Sequence, residues 1–139
     1  MNTKTNQKEN ENMKEQDNPF GKIIYAYTRK EAILDGVLVD VTETAHEAGF
    51  KWPVALTAEV WALIENIPQE HCHEDIQGRL WDVLWMGRLA ISQAPRGHTE
   101  ARYTLVLHQS DCNEIQLKIV SGPGDDGDPV LTIMLPDQD

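Results

Sequence analysis

Residues 73–92 read HEDIQGRLWDVLWMGRLAIS and would be apolar on two sides of a helix. Ile76, Leu80, Val83, Leu84, Gly87, Ala90 and Ile91 recur with the 3.6-residue period and form one broad stripe. Half a turn away, Trp81, Trp85 and Leu89 follow at i, i+4 and i+8, flanked by Asp82 and Arg88. A helix of this kind needs cover on both faces. Either it packs between a sheet and other helices, or the Trp81/Trp85 stripe is partly exposed and binds another protein, since aromatic anchors concentrate interface energy.

Before this helix the pattern is broken into short pieces. Thr28-Arg-Lys-Glu31 has capping-box spacing and predicts a helix over 29–35, stopped by Gly36. The β-branched run VLVDV at 37–41 reads as a short strand or extended segment. Thr42 is positioned to cap a second short helix carrying Ala45 and Ala48, which Gly49 can end. Phe50, Trp52 and Pro53 open a connecting stretch, after which Thr57 caps a helix that runs to about Asn66, with Pro68 barring its continuation.

Beyond Glu100 the period falls to 2. Tyr103, Leu105 and Leu107 alternate with polar or exposed positions, residues 110–113 offer turn chemistry, and Ile115, Leu117 and Ile119 alternate again. After the loop GPGDDGDP at 122–129, residues 130–135 supply a third strand. The prediction is an α+β fold in which short N-terminal helices and the central amphipathic helix pack on a C-terminal three-stranded antiparallel sheet.

Residues 1–18 mix Asn, Lys, Glu and Gln with almost nothing apolar and predict a disordered tail. Pro19, Phe20, Ile23, Ile24, Tyr25 and Tyr27 would start a single domain over 19–136, followed by an acidic end at 137–139. Hydrophobic residues make up 40% of the chain and charged residues 25%, and no apolar run approaches the roughly 20 residues of a membrane span. With no signal segment at its start, the chain is expected to stay in the cytoplasm, with Cys72 and Cys112 as free thiols.

Twelve Lys and Arg against 23 Asp and Glu leave a net charge of −11. That argues against direct nucleic-acid binding, which needs clustered cations, and favours a basic partner. After Lys118 there is no Lys or Arg, while Asp125, Asp126, Asp128, Asp137 and Asp139 all follow. Asp125, Asp126 and Asp128 are therefore candidate partner-binding residues beside Trp81 and Trp85, against the plain alternative of a solvated turn.

Other chemistry is weaker. His71-Cys72-His73-Glu74 is dense in metal ligands, but consecutive residues cannot close a tetrahedral site alone, so His98, His108 or Cys112 would have to complete it. Cys72 near a helix N-terminus could be a reactive thiol, although Glu70, Glu74 and Asp75 oppose that. The GPGDDGDP loop lacks the lysine of a phosphate cradle and the ligand spacing of an EF-hand. Asp40, Glu43 and His46 lie close in sequence with no motif around them. No cofactor is predicted.

Residues 27–61 (YTRKEAILDGVLVDVTETAHEAGFKWPVALTAEVW), 79–86 (RLWDVLWM) and 122–136 (GPGDDGDPVLTIMLP) together resemble a family of small uncharacterised bacterial proteins, a domain of unknown function that recurs on plasmids, prophages and integrated elements. The resemblance implies an accessory role, such as an acidic, non-enzymatic anti-CRISPR or anti-restriction inhibitor that binds a nucleic-acid-handling protein. The alternative is a metal-dependent or nucleotide-directed enzyme with a pocket near His71, Cys72 and His73.

Overall fold

A computed structural model describes residues 27–139. The predicted tail and the first anchors of the domain, Pro19 to Tyr25, lie outside these residues. Ten short elements follow in order: α1 (Arg29–Leu34), β1 (Leu38–Asp40), α2 (Thr42–Glu47), β2 (Val54–Thr57), α3 (Ala58–Glu65), a 3-10 turn (Gln69–His71), α4 (Ile76–Gln93), β3 (Glu100–Val106), β4 (Glu114–Pro123) and β5 (Pro129–Met134). No described helix is long and apolar enough to cross a membrane.

The C-terminal half forms the expected meander. β3 pairs antiparallel with β4 from Glu100↔Val120 to Val106↔Glu114, and β4 pairs antiparallel with β5. The sheet does not stop there, so the three-stranded expectation is corrected: it has five strands in the order β1-β2-β5-β4-β3, two of them from the N-terminal half. β2 lies parallel to β5, with Leu56 beside Ile133. The stretch read as a connection thus holds an inner strand. Val54, Ala55, Leu56 and Thr57 are all buried, so β2 lacks the in-out alternation that betrays a half-exposed strand.

One face of the sheet carries the core. Val54, Leu56, Tyr103, Leu105, Leu117, Ile119, Leu131 and Ile133 meet Ala45 of α2, Val60 and Ile64 of α3, and Leu80, Val83 and Leu84 of α4. α1 sits on the opposite face, where Arg29 donates to Thr132 Oγ1 at 2.7 Å and to the Leu131 carbonyl at 2.6 Å. Lys118 is buried there between Arg102 and Met134 in the strand register.

Local signals explain most boundaries. Thr28 and Glu31 form the reciprocal capping box, and Thr57 accepts from Val60 N–H at the start of α3. Thr42, however, is the first residue of α2 and not its cap; its hydroxyl bonds Asp40 Oδ1 and so closes a turn between β1 and the helix. α4 starts at Ile76, later than residue 73, because Asp75 takes the cap and accepts from Gly78 N–H at 2.6 Å. Of its predicted apolar stripe, Leu80, Val83, Leu84 and Gly87 are buried while Ile76 and Ile91 are exposed. Gly87 of α4 lies against Tyr103 of β3: a Cβ there would lie 3.0 Å from the Tyr103 hydroxyl, which donates to the Val83 carbonyl.

Candidate functional site

Arg79 is the residue around which the site is built. Only 3% exposed, it occupies the buried face of α4 one turn before Val83. Its Nε donates to the Ile64 carbonyl at 2.9 Å, and one terminal nitrogen donates to Leu63 at 2.8 Å and to His108 at 3.1 Å. Leu63 and Ile64 belong to the last turn of α3, whose carbonyls have no helical partner and carry the negative end of the dipole. A guanidinium satisfies both needs at once. The other terminal nitrogen, 2.8 Å from Glu74 Oε1, fixes that carboxylate.

Glu74 is held from a second side. His108, just beyond β3, places Nδ1 2.8 Å from Glu74 Oε2, and its ring stacks on His71 with centroids 3.7 Å apart and planes within 2°. His71 reaches this position because the 3-10 turn bends the chain back: Glu74 N–H donates to the His71 carbonyl at 2.9 Å. His71 Nδ1 then lies 3.7 Å from Glu74 Oε2. The hydrogen bond from His108, joined by that from Arg79, keeps the Glu74 carboxyl below the usual carboxylate range.

A cleft of about 550 Å³ opens beside this network, lined by His73, Glu74, Asp75, Arg79, Trp81, Asp82 and His108 among others. A second cleft of about 360 Å³ shares the lining residues Asp82 and Val106 and adds Trp85, Met86, Thr104 and Glu114. Trp81 lines the first cleft and Trp85 the second. They are 37% and 40% exposed, stacked with centroids 6.3 Å apart, and Arg88 lies over the Trp85 ring. Val106 is 57% exposed next to them. Burial, reinforced by the charge of Glu74, pushes the Asp82 carboxyl above its ordinary value.

The remaining candidates lie elsewhere. Both Asp125 oxygens accept from the first amides of α1, Arg29 N–H at 2.9 Å and Lys30 N–H at 3.0 Å, across 95 residues of chain. Asp126 accepts from Asp128 N–H within the loop, and Asp128 is exposed. This loop is not part of either cleft beside the tryptophans. Asp40 is engaged by Thr42, and Cys72 and Cys112 are both exposed free thiols. His71, His73 and Glu74 have ligand atoms within 4.8 Å of one another, without Cys72. Sequence reading overlooked Arg79, which carried one usable signal, its place in register with Leu80, Val83 and Leu84; of His98, His108 and Cys112, named as residues that could complete the cluster, His108 is the one in contact with Glu74 and His71.

The chain belongs to the DUF6573 family. This is a family of unknown function, and the match covers residues 18–139. No curated protein and no solved structure matches the chain. What this DUF6573 protein can do rests on the chemistry of its site.

Proposed function

We propose that this DUF6573 protein is a non-enzymatic binding protein that docks the Trp81/Trp85 face of α4, with Asp82, Glu114 and the free side of β3, onto a basic, extended segment of another protein. The observation that carries the proposal is the stacked Trp81/Trp85 pair left exposed beside Val106 at the end of the sheet. Rigid aromatics next to a sheet edge suit strand addition: backbone hydrogen bonds supply affinity, and side-chain clefts on alternate positions supply specificity. Charge selects the partner. Asp82 and Glu114 line the same cleft as Trp85, in a chain of net charge −11, so a cationic segment is drawn in and a second copy of this chain is repelled. A mobile-element inhibitor of a nucleic-acid-handling enzyme is the specific form we favour, because such enzymes expose basic channels that an acidic surface can block.

The test compares wild type, W81A/W85A and D82N/E114Q as baits at low and high ionic strength. A basic partner retained by wild type, lost by both variants and released by salt is the expected result, with slowed amide exchange in β3 of the complex. Retention unaffected by W81A/W85A refutes the reading. So does a homodimer that those substitutions dissociate, since the face would then be a self-interface. One observation favours an enzyme instead, the convergence of His71, His73 and Glu74 beside a cleft, and it bears on the metal chemistry below.

A further inference from the structure

We infer that His71, His73 and Glu74 form a binding site for one first-row divalent transition metal, with Zn²⁺ the chemically best-suited ion. Two imidazoles and one carboxylate are a borderline donor set that zinc accepts readily, leaving a fourth position for water or a partner's side chain. At metal–ligand distances of about 2.0–2.2 Å, tetrahedral donors stand roughly 3.3–3.6 Å apart. His71 Nδ1 and Glu74 Oε2 are 3.7 Å apart, already near that separation. The widest separation in the group is within 4.8 Å, and His73 is exposed, so a rotation of its side chain closes the set.

What distinguishes this cluster from a chance gathering of surface groups is its support. Glu74 receives hydrogen bonds on both oxygens, from Arg79 and His108, and Arg79 is itself locked by carbonyls of α3. His108 also stacks on His71 and so fixes the plane of that ring. Metal sites owe much of their affinity to such outer partners, which orient the ligands before the ion arrives. The 3-10 turn brings His71 and Glu74 onto one side despite their closeness in sequence. His73 and Glu74 also line the cleft that holds Trp81 and Asp82. Metal binding at this site requires no docked partner.

Untagged protein titrated with Co²⁺ reports the site directly, because tetrahedral cobalt absorbs strongly in the visible and a thiolate ligand adds a distinct near-ultraviolet band. The expected result is one Co²⁺ per chain, displaced by Zn²⁺, without the thiolate band and unchanged in C72S/C112S. His73→Ala, at an exposed position, should weaken binding at least about 10-fold, and His108→Phe, which keeps a stacking ring but loses the hydrogen bond, by roughly 10–100-fold. Circular dichroism and tryptophan fluorescence confirm that each variant is folded. Absence of saturable binding overturns the inference, as does binding that survives His73→Ala but disappears in C72S/C112S.

Discussion

Replacing Arg79 by Met tests whether the buried guanidinium holds the domain together. The side chain is 4% exposed and its partner Glu74 21%, so the ion pair is largely withdrawn from water. Removing one partner of such a pair costs about 3–5 kcal/mol, because the other charge and its acceptors lose their compensation. The carbonyls of Ile64 and His108 lose this donor as well, whereas Leu63 keeps a second one from Gln109 Nε2 at 2.8 Å. His108 still bonds Glu74, and the partial exposure of that carboxylate lets water compensate some of the loss. The balance is a destabilisation of about 4 kcal/mol, a large part of a domain stability of roughly 5–15 kcal/mol. With an m-value of about 1.5 kcal/mol/M in urea, the unfolding midpoint should fall by roughly 2–3 M. Trp81 and Trp85 lie on the same helix and report the transition by fluorescence. Arg79→Lys keeps the charge but loses the fork and should cost about half as much. R79M/E74Q should be less destabilised than the sum of its single changes, since neutral Gln needs no buried cation. If R79M unfolds within about 1 kcal/mol of wild type at unchanged m, Arg79 is not the keystone described here.

Three further substitutions separate charge from structure. Because the folded-state pKa of Asp82 is raised, the folded protein binds its proton more tightly than the unfolded chain does. Ionised Asp82 therefore destabilises the fold above the raised folded pKa, and this penalty fades as pH falls through that value toward the unfolded pKa of about 3.9. Asp82→Asn should melt higher than wild type at pH 7 and equally near pH 4; a lower melting temperature at pH 7 would contradict the desolvation argument. Asp125→Ala removes the carboxylate that accepts from both first amides of α1 and should cost about 1 kcal/mol, whereas Asp128→Asn should stay within about 0.5 kcal/mol. Equal effects of the two, measured by urea unfolding, would mean that the loop carboxylates act only through their summed charge.

The sequence by itself determined the elements whose signals are local. The capping box at Thr28, the cap at Thr57, the turns at Gly36 and Gly49 with φ of 80° and 104°, and the alternation through Tyr103, Leu105, Leu117 and Ile119 each depend on a few neighbouring residues. The expectation of a domain of unknown function, drawn from long local motifs, agrees with the family match over residues 18–139, which carries no plasmid or prophage context. The helical period showed that α4 has two apolar faces, but no periodicity can tell what lies opposite a face. Only the tertiary structure covered one face with the sheet and left Trp81 and Trp85 half in solvent. β2 escaped sequence reading because burial on both sides removes alternation, and its parallel neighbour β5 lies more than 70 residues away. Arg79 escaped because an arginine on a helix ordinarily faces water; its burial is decided by carbonyls 15, 16 and 29 residues distant. His108 joins His71 and Glu74 for the same physical reason: burying unsatisfied carbonyls and a carboxylate requires donors from wherever the fold brings them, and separation along the chain does not record that proximity.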